Sequence, residues 1–171
     1  MAFDFKKEYK EFYMPKSKPE IVNVPKANYI AIRGEGNPND EGGEYQKAIE
    51  VLYAVAYTLK MSYKTDHRIE GFFDYVVPPL EGFWWQKGIV GVDYHDKSSF
   101  CWISVIRLPD FITKEDFDWA VDSATKKKKL NCFPTSRRKI EPFNIAIVIN
   151  AQNTVIGFKL CQSKTLAMKL R

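Results

Sequence analysis

Histidine and cysteine are scarce in this chain of 171 residues, with two and three copies respectively. Cys101, Cys132 and Cys161 form an odd set without CxxC spacing, and only His67 and His95 are available to join them around a metal. That shortage excludes a zinc-finger or zinc-ribbon framework; reduced thiols, no structural metal and no cofactor are expected. Long apolar runs are missing as well. None approaches the roughly 18 to 20 residues that span a bilayer. The N-terminus carries Asp4 and Glu8 where a secretory signal needs an apolar stretch. No membrane partner is expected, and these absences point to a cytoplasmic protein.

Acidic residues run out toward the end of the chain. Residues 1–125 hold 15 Lys/Arg against 20 Asp/Glu, a net charge of −5, whereas residues 126–171 hold 11 against the single acid Glu141, a net charge of +10. The overall +5 therefore resides in the last stretch rather than across the surface. The run Lys126–Lys129 and the run Ser136-Arg137-Arg138-Lys139 could grip phosphate through counterion release. No aromatic platform or recognition motif accompanies them, so nucleic acid is not an expected partner. Internal repeats and low-complexity tracts are also missing.

What is present suits one compact domain: 45% of residues are hydrophobic and 15% aromatic. Glu20–Pro25 and Tyr29–Gly34 are short, β-branched and apolar, and the second reads as a strand ended by Gly34–Asn39. A helix is predicted over residues 41–63, with Tyr45, Ala48, Ile49, Leu52, Val55, Ala56 and Leu59 on one stripe and Asn39 or Asp40 as its cap. Tyr53 and Tyr57, four apart, share a flank of that helix. Gly71–Val77 reads as a strand stopped by Pro78-Pro79, and residues 79–82 as a tight loop. Phe100–Arg107 reads as a further strand. Thr113 and Asp116 resemble a capping box, followed by Phe117, Ala120, Val121 and Ala124 at helical spacing. Strand, helix, strand, strand, helix makes a mixed α+β fold with an antiparallel sheet. Beyond Lys126 the pattern degrades, and Ile145–Ile149 alone reads as a strand.

The chemistry-bearing candidates concentrate around Phe83-Trp84-Trp85, with Phe72, Phe73 and Tyr75 just upstream and Trp102 on a neighbouring strand. Within a strand, Trp84 and Trp85 must point to opposite faces, so one of them is expected to line a surface or pocket. Each of these aromatics could equally pack a small core. An indole offers a flat stacking face and one donor, which suits a planar ligand. Glu81 beside them could orient a polar group, or act as a base if burial raised its pKa, although a loop glutamate is more often solvated. His67 and His95 sit in polar contexts that read as exposed turns. The chain has no G-x-S-x-G motif, and Gly34-Glu35-Gly36 lacks the third glycine of a dinucleotide loop.

The stretches Tyr45–Ala48, Leu52–Met61, Val77–Trp85, Arg107–Phe111 and Trp119-Ala120 resemble the GyrI-like small-molecule-binding proteins over about residues 4 to 130. The long PLEGFWW and LYAVAYTLKMSYK segments make the resemblance specific. It implies β-α-β-β modules paired about a pseudo-twofold axis with a ligand cleft between them, as in the effector-binding domains of AraC-type regulators. Some stand-alone members hydrolyse cyclopropane-bearing, DNA-alkylating natural products, a detoxifying activity. By position, Tyr53, Tyr57, Glu81, Trp84, Trp85 and Trp102 are the candidate cleft groups, and Tyr75 joins them from the aromatic cluster; all are taken as ligand-binding, with no catalytic residue assigned. The chain departs from the family after about residue 130. The acidic, histidine-containing second module with its E-I-Y-L-S-D-P-like motif has no counterpart in this sequence. Residues 1–130 are therefore expected to form the binding module, and residues 131–171 a divergent basic tail, either a remnant of a frameshift or truncation or an authentic, diverged end. A homodimer, in which a second copy supplies the absent cleft wall, is left open.

Overall fold

The computed structural model describes residues 1–14, 20–128, 139–143, 145–149 and 155–160. In chain order the elements are β1 (Phe3–Asp4), α1 (Phe5–Glu8), α2 (Lys10–Tyr13), β2 (Glu20–Asn23), β3 (Ala27–Glu35), α3 (Glu44–Lys60), β4 (Tyr75–Val76), β5 (Leu80–Gln86), β6 (Phe100–Leu108), α4 (Lys114–Lys128), β7 (Lys139–Phe143), β8 (Ile145–Ile149) and β9 (Val155–Leu160). The sheet that positions the candidate site has the order β5-β6-β3-β7 with antiparallel neighbours throughout. The succession β3, α3, β5, β6 is the expected β-α-β-β module, and the α+β class holds.

One face of this sheet is covered by helices. Ile30 on β3 and Ile106 and Leu108 on β6 meet Leu52, Val55, Ala56 and Leu59 of α3 and Phe117, Ala120, Val121 and Ala124 of α4 in one buried cluster. Period-two strands and three-four-spaced helices thus present matched apolar faces, and their burial drives the layers together. The capping box at α4 forms as the sequence suggests. The backbone N–H and hydroxyl of Thr113 donate to Asp116 Oδ2 (3.0 and 2.7 Å), and the Asp116 N–H donates to Thr113 Oγ1 (3.2 Å). Thr113→Ala removes the cap while leaving the buried stripe intact. It should lower the unfolding free energy by about 1 kcal/mol, read as an earlier urea midpoint at unchanged m-value.

Four local expectations are corrected. Helix α3 starts at Glu44 with Gly43 as its N-cap, not Asn39 or Asp40. The Asn37 side chain donates to Asp40 Oδ1 (2.8 Å) and the Asp40 carbonyl accepts the Gly43 N–H (3.0 Å), so those residues close a turn of their own. The extended run expected over Gly71–Val77 shrinks to Tyr75–Val76, which pairs in parallel with Phe3–Asp4. Gly71 is left-handed (φ 71°), and the rings of Phe72 and Phe73 turn onto Phe111. Residues 80–82 are strand rather than loop, since Leu80 already pairs with Ile106. His67 is not an exposed turn residue: its Nε2 lies 2.8 Å from Asp116 Oδ1 and its ring stacks on Trp119 with centroids 4.1 Å apart. His95 does lie on the surface.

The basic end of the chain contributes more strand than its pattern suggests. β7 pairs with β3 over Ala27↔Phe143 to Ala31↔Lys139, and β8 joins β2 to β9 in a second antiparallel sheet. Pro142 falls in β7, which is an edge strand, where a missing ladder donor is tolerated.

Candidate functional site

Alternation along β5 sends its two tryptophans to opposite faces, as the pleat requires. Trp84 lies on the helix-covered side, where Tyr45 of α3 (4.9 Å between centroids) and Phe100 (5.9 Å) pack against it. Trp102, its partner in the β5–β6 register, is fully buried there and also touches the Tyr45 ring (5.1 Å). Trp85 goes to the other face, against a small apolar cluster of Ala27, Tyr29, Phe83, Ile103 and Val105.

Glu81 shares this second face with Phe83 and Trp85, being separated from them by whole two-residue periods. Register brings three further polar groups toward it. Glu81 pairs with Val105, and two residues on, Arg107 pairs with Tyr29 of β3. The short helices α1 and α2 come across the Arg107 end. The Arg107 guanidinium carbon lies 5.0 Å from the Phe5 ring centroid and 4.6 Å from that of Tyr9. Tyr13 follows one turn later and hydrogen-bonds both the Glu81 carboxylate and Arg107.

The electrostatics of this cluster are set by burial. Burial pushes the Glu81 carboxyl up to about 7, and the Arg107 charge and the Tyr13 hydrogen bond, both acting to lower it, recover only part of that rise. Tyr29 is pushed up to about 12 by burial and by the Glu81 charge, against the pull of Arg107. Tyr13 lies well above an ordinary tyrosine for the same reasons, with burial again the largest. Arg107 is only 5% exposed. Although Glu81 as a residue is half-buried, its Oε1 has no accessible surface and no hydrogen-bond partner, and the same holds for Arg107 Nε. A carboxyl titrating near neutrality beside a buried guanidinium can accept, donate or exchange a proton under mild conditions.

The sequence candidates therefore separate. Glu81 and Trp85 share the face that carries the polar cluster, while Trp84 and Trp102 sit under α3. Tyr53 and Tyr57 lie side by side on α3 (6.2 Å between centroids), the first packed on the core and the second exposed. Tyr75 is buried among Phe5, Phe72, Phe73 and Phe111, one ring away from Arg107 through Phe5. Tyr13, Tyr29 and Arg107 are the cluster members that sequence reasoning missed. Arg107 left a trace as the one charge in the apolar run Phe100–Leu108, but nothing in Glu11-Phe12-Tyr13-Met14 marks Tyr13. Among the described residues, no group of three His, Cys, Asp or Glu could hold a metal ion, and no helix is long and apolar enough to cross a membrane.

The model of the GyrI-like small molecule binding domain matches residues 17–126. Three solved structures of Listeria innocua proteins are similar over 84% of this chain. One, described as an uncharacterized conserved protein, is 48% identical, with 67% of its length covered and a TM-score of 0.73. A second, described as a hydrolase, is 48% identical, with 67% covered and a TM-score of 0.74. A third, also described as a hydrolase, is 46% identical, with 66% covered and a TM-score of 0.70. The chain thus spans about two thirds of the length of each. No curated protein matches it.

Proposed function

Because the chain belongs to the GyrI-like family of small-molecule-binding domains, we propose that it binds a planar, largely apolar small molecule on the face of the sheet opposite α3. Trp85 is the stacking platform and Glu81 the polar anchor. The observation that carries this reading is Glu81 Oε1, an acceptor without a partner on a face otherwise lined by Trp85, Phe83 and Tyr29. Trp84, Trp102 and Tyr75 then shape the site from behind, and Tyr53 and Tyr57 offer a second aromatic surface on α3. In this reading residues 1–130 do the binding in the cytoplasm, without a cofactor and without nucleic acid. A second copy would supply the facing wall.

Hydrolysis is the second reading, favoured by a carboxyl that titrates near 7 and by two similar structures described as hydrolases. Glu81 would take a proton from water as its oxygen bonds to a cyclopropane carbon of an alkylating compound; the strained C–C bond breaks, and the electron pair it releases into the ring system is protonated in turn. Titration with N-methyl-2-quinolone, a flat uncharged probe, tests the binding reading. Tryptophan fluorescence should quench saturably, with the quenching retained in Trp119→Phe and largely lost in Trp85→Phe. Quenching that survives Trp85→Phe undiminished rejects this site. A cyclopropane substrate recovered with the added mass of one water, faster than in buffer, moves the conclusion to hydrolysis.

A further inference from the structure

The two unpaired, inaccessible atoms on the Trp85 face, Glu81 Oε1 and Arg107 Nε, belong to groups packed against a segment that lies outside the family match at residues 17–126. That segment is anchored at one end and light at the other. At its root the Phe3 N–H donates to the Asp74 carbonyl (2.8 Å), Phe3 pairs with Tyr75, and Phe5 is buried against the Tyr75 ring (6.4 Å). At its tip α2 has four residues, none of them buried, and no side-chain cap at its N-terminus. So short a helix has almost no stability of its own and stays in place only through its contacts.

Those contacts come at a cost. With Tyr13 docked, a carboxylate oxygen and a guanidinium N–H lose water and gain nothing in exchange. A ligand that satisfied both atoms would remove that penalty, so ligand binding and docking of α2 must favour each other. The pairing also selects the ligand. A lone cation would fill Glu81 and leave Arg107 Nε unpaired beside it, and an anion would fill Arg107 and face the carboxylate. A neutral group that donates and accepts on one edge meets both requirements.

We propose that α2 is a roof that closes over a planar amide or lactam edge, whose N–H donates to Glu81 Oε1 and whose carbonyl accepts from Arg107 Nε. Tyr13 is the positioning residue: it already holds the roof to both groups, and the ligand reinforces that docking. The inference rests on the ligand occupying this face.

The test compares 2-quinolone, a bicyclic lactam, with N-methyl-2-quinolone, which keeps the shape and loses the donor, on the full chain. 2-Quinolone should bind about tenfold more tightly or better, the worth of one hydrogen bond to a charged group. At saturation it should slow amide exchange at residues 9–13 and leave residues 3–5 unchanged. Tyr13→Phe, which also removes the hydrogen bonds that Tyr13 makes in the free protein, should lower its melting temperature, narrow the affinity ratio and remove the ligand-induced protection at 9–13. Equal affinity of the two compounds overturns the lactam edge while leaving planar-ligand binding intact. Selectivity for 2-quinolone without protection at residues 9–13 overturns the roof. Failure of both compounds to quench removes the binding reading and this proposal with it.

Discussion

Gly34→Ala is expected to destabilise the chain by roughly 3 kcal/mol or more, at the upper end of what overpacking a core costs. Gly34 sits on β3 directly opposite Trp102 of β6, on the helix-covered face. A methyl group there would lie inside the indole ring's contact distance, 2.8 Å from Cε2 and nearer still to Cζ2 and Cη2. The ring has nowhere to go: Trp102 is fully buried, with Tyr45 edge-on to it at 5.1 Å. Gly36→Ala, two residues on, is the control. It meets nothing within 4 Å and bears only the strain of a positive φ (113°), about 1 kcal/mol. If the ring is the obstacle, Trp102→Leu should relieve much of the Gly34→Ala penalty, so that the double variant is more stable than the sum of the two losses allows. Urea unfolding of the four proteins measures the coupling; strict additivity would mean that Gly34 is required for some reason other than the indole.

This pair also illustrates how much of the fold was legible in the chain. Trp102 was visible as an aromatic on a predicted strand, but its partner was not, because contact between residues 34 and 102 depends on strand register that local pattern does not specify. The helices were easier. The Thr113–Asp116 box and the 117, 120, 121, 124 stripe are local, and both appear as read. The start of α3 was misread because Asn37 and Asp40 bond each other instead of capping the helix. At the candidate site the same division applies. Period two separated Trp84 from Trp85 from sequence alone, but Glu81 was read as a loop residue beside them, and only its pairing with Val105 puts it on the Trp85 face. Arg107, Tyr29 and Tyr13 arrive from β6, β3 and α2, three separate parts of the chain, and only pairing and docking bring them to Glu81. Strands β7 and β9 went unread for a related reason: a proline in one and a glycine in the other dilute the β pattern, and only pairing reveals the strand.

Glu81→Gln should make the protein more stable at pH 8, by on the order of 1–3 kcal/mol, with little change at pH 4. Folding raises this carboxyl from its ordinary 4.5 to about 7. Between those values the native chain holds a proton that the unfolded chain has released. Stability therefore falls as pH rises through the window. The cost is absent below the unfolded value, where both states are protonated, and complete above about 7, where both are ionised. Glutamine keeps the shape without the ionisation and should flatten the profile, whereas Arg107→Gln removes a charge that lowers the Glu81 pKa and should steepen it. Urea midpoints of the three proteins at pH 4, 6 and 8 decide the matter. A Glu81→Gln profile parallel to that of the unmodified chain would place the titration elsewhere. A ligand that donates to Glu81 is held more strongly by the ionised carboxylate than by the neutral acid, so its affinity should climb over the same range in which stability declines. The site is then weakest as a structure at the pH where it is strongest as a receptor, the trade-off expected when a buried carboxylate is kept for binding rather than for folding.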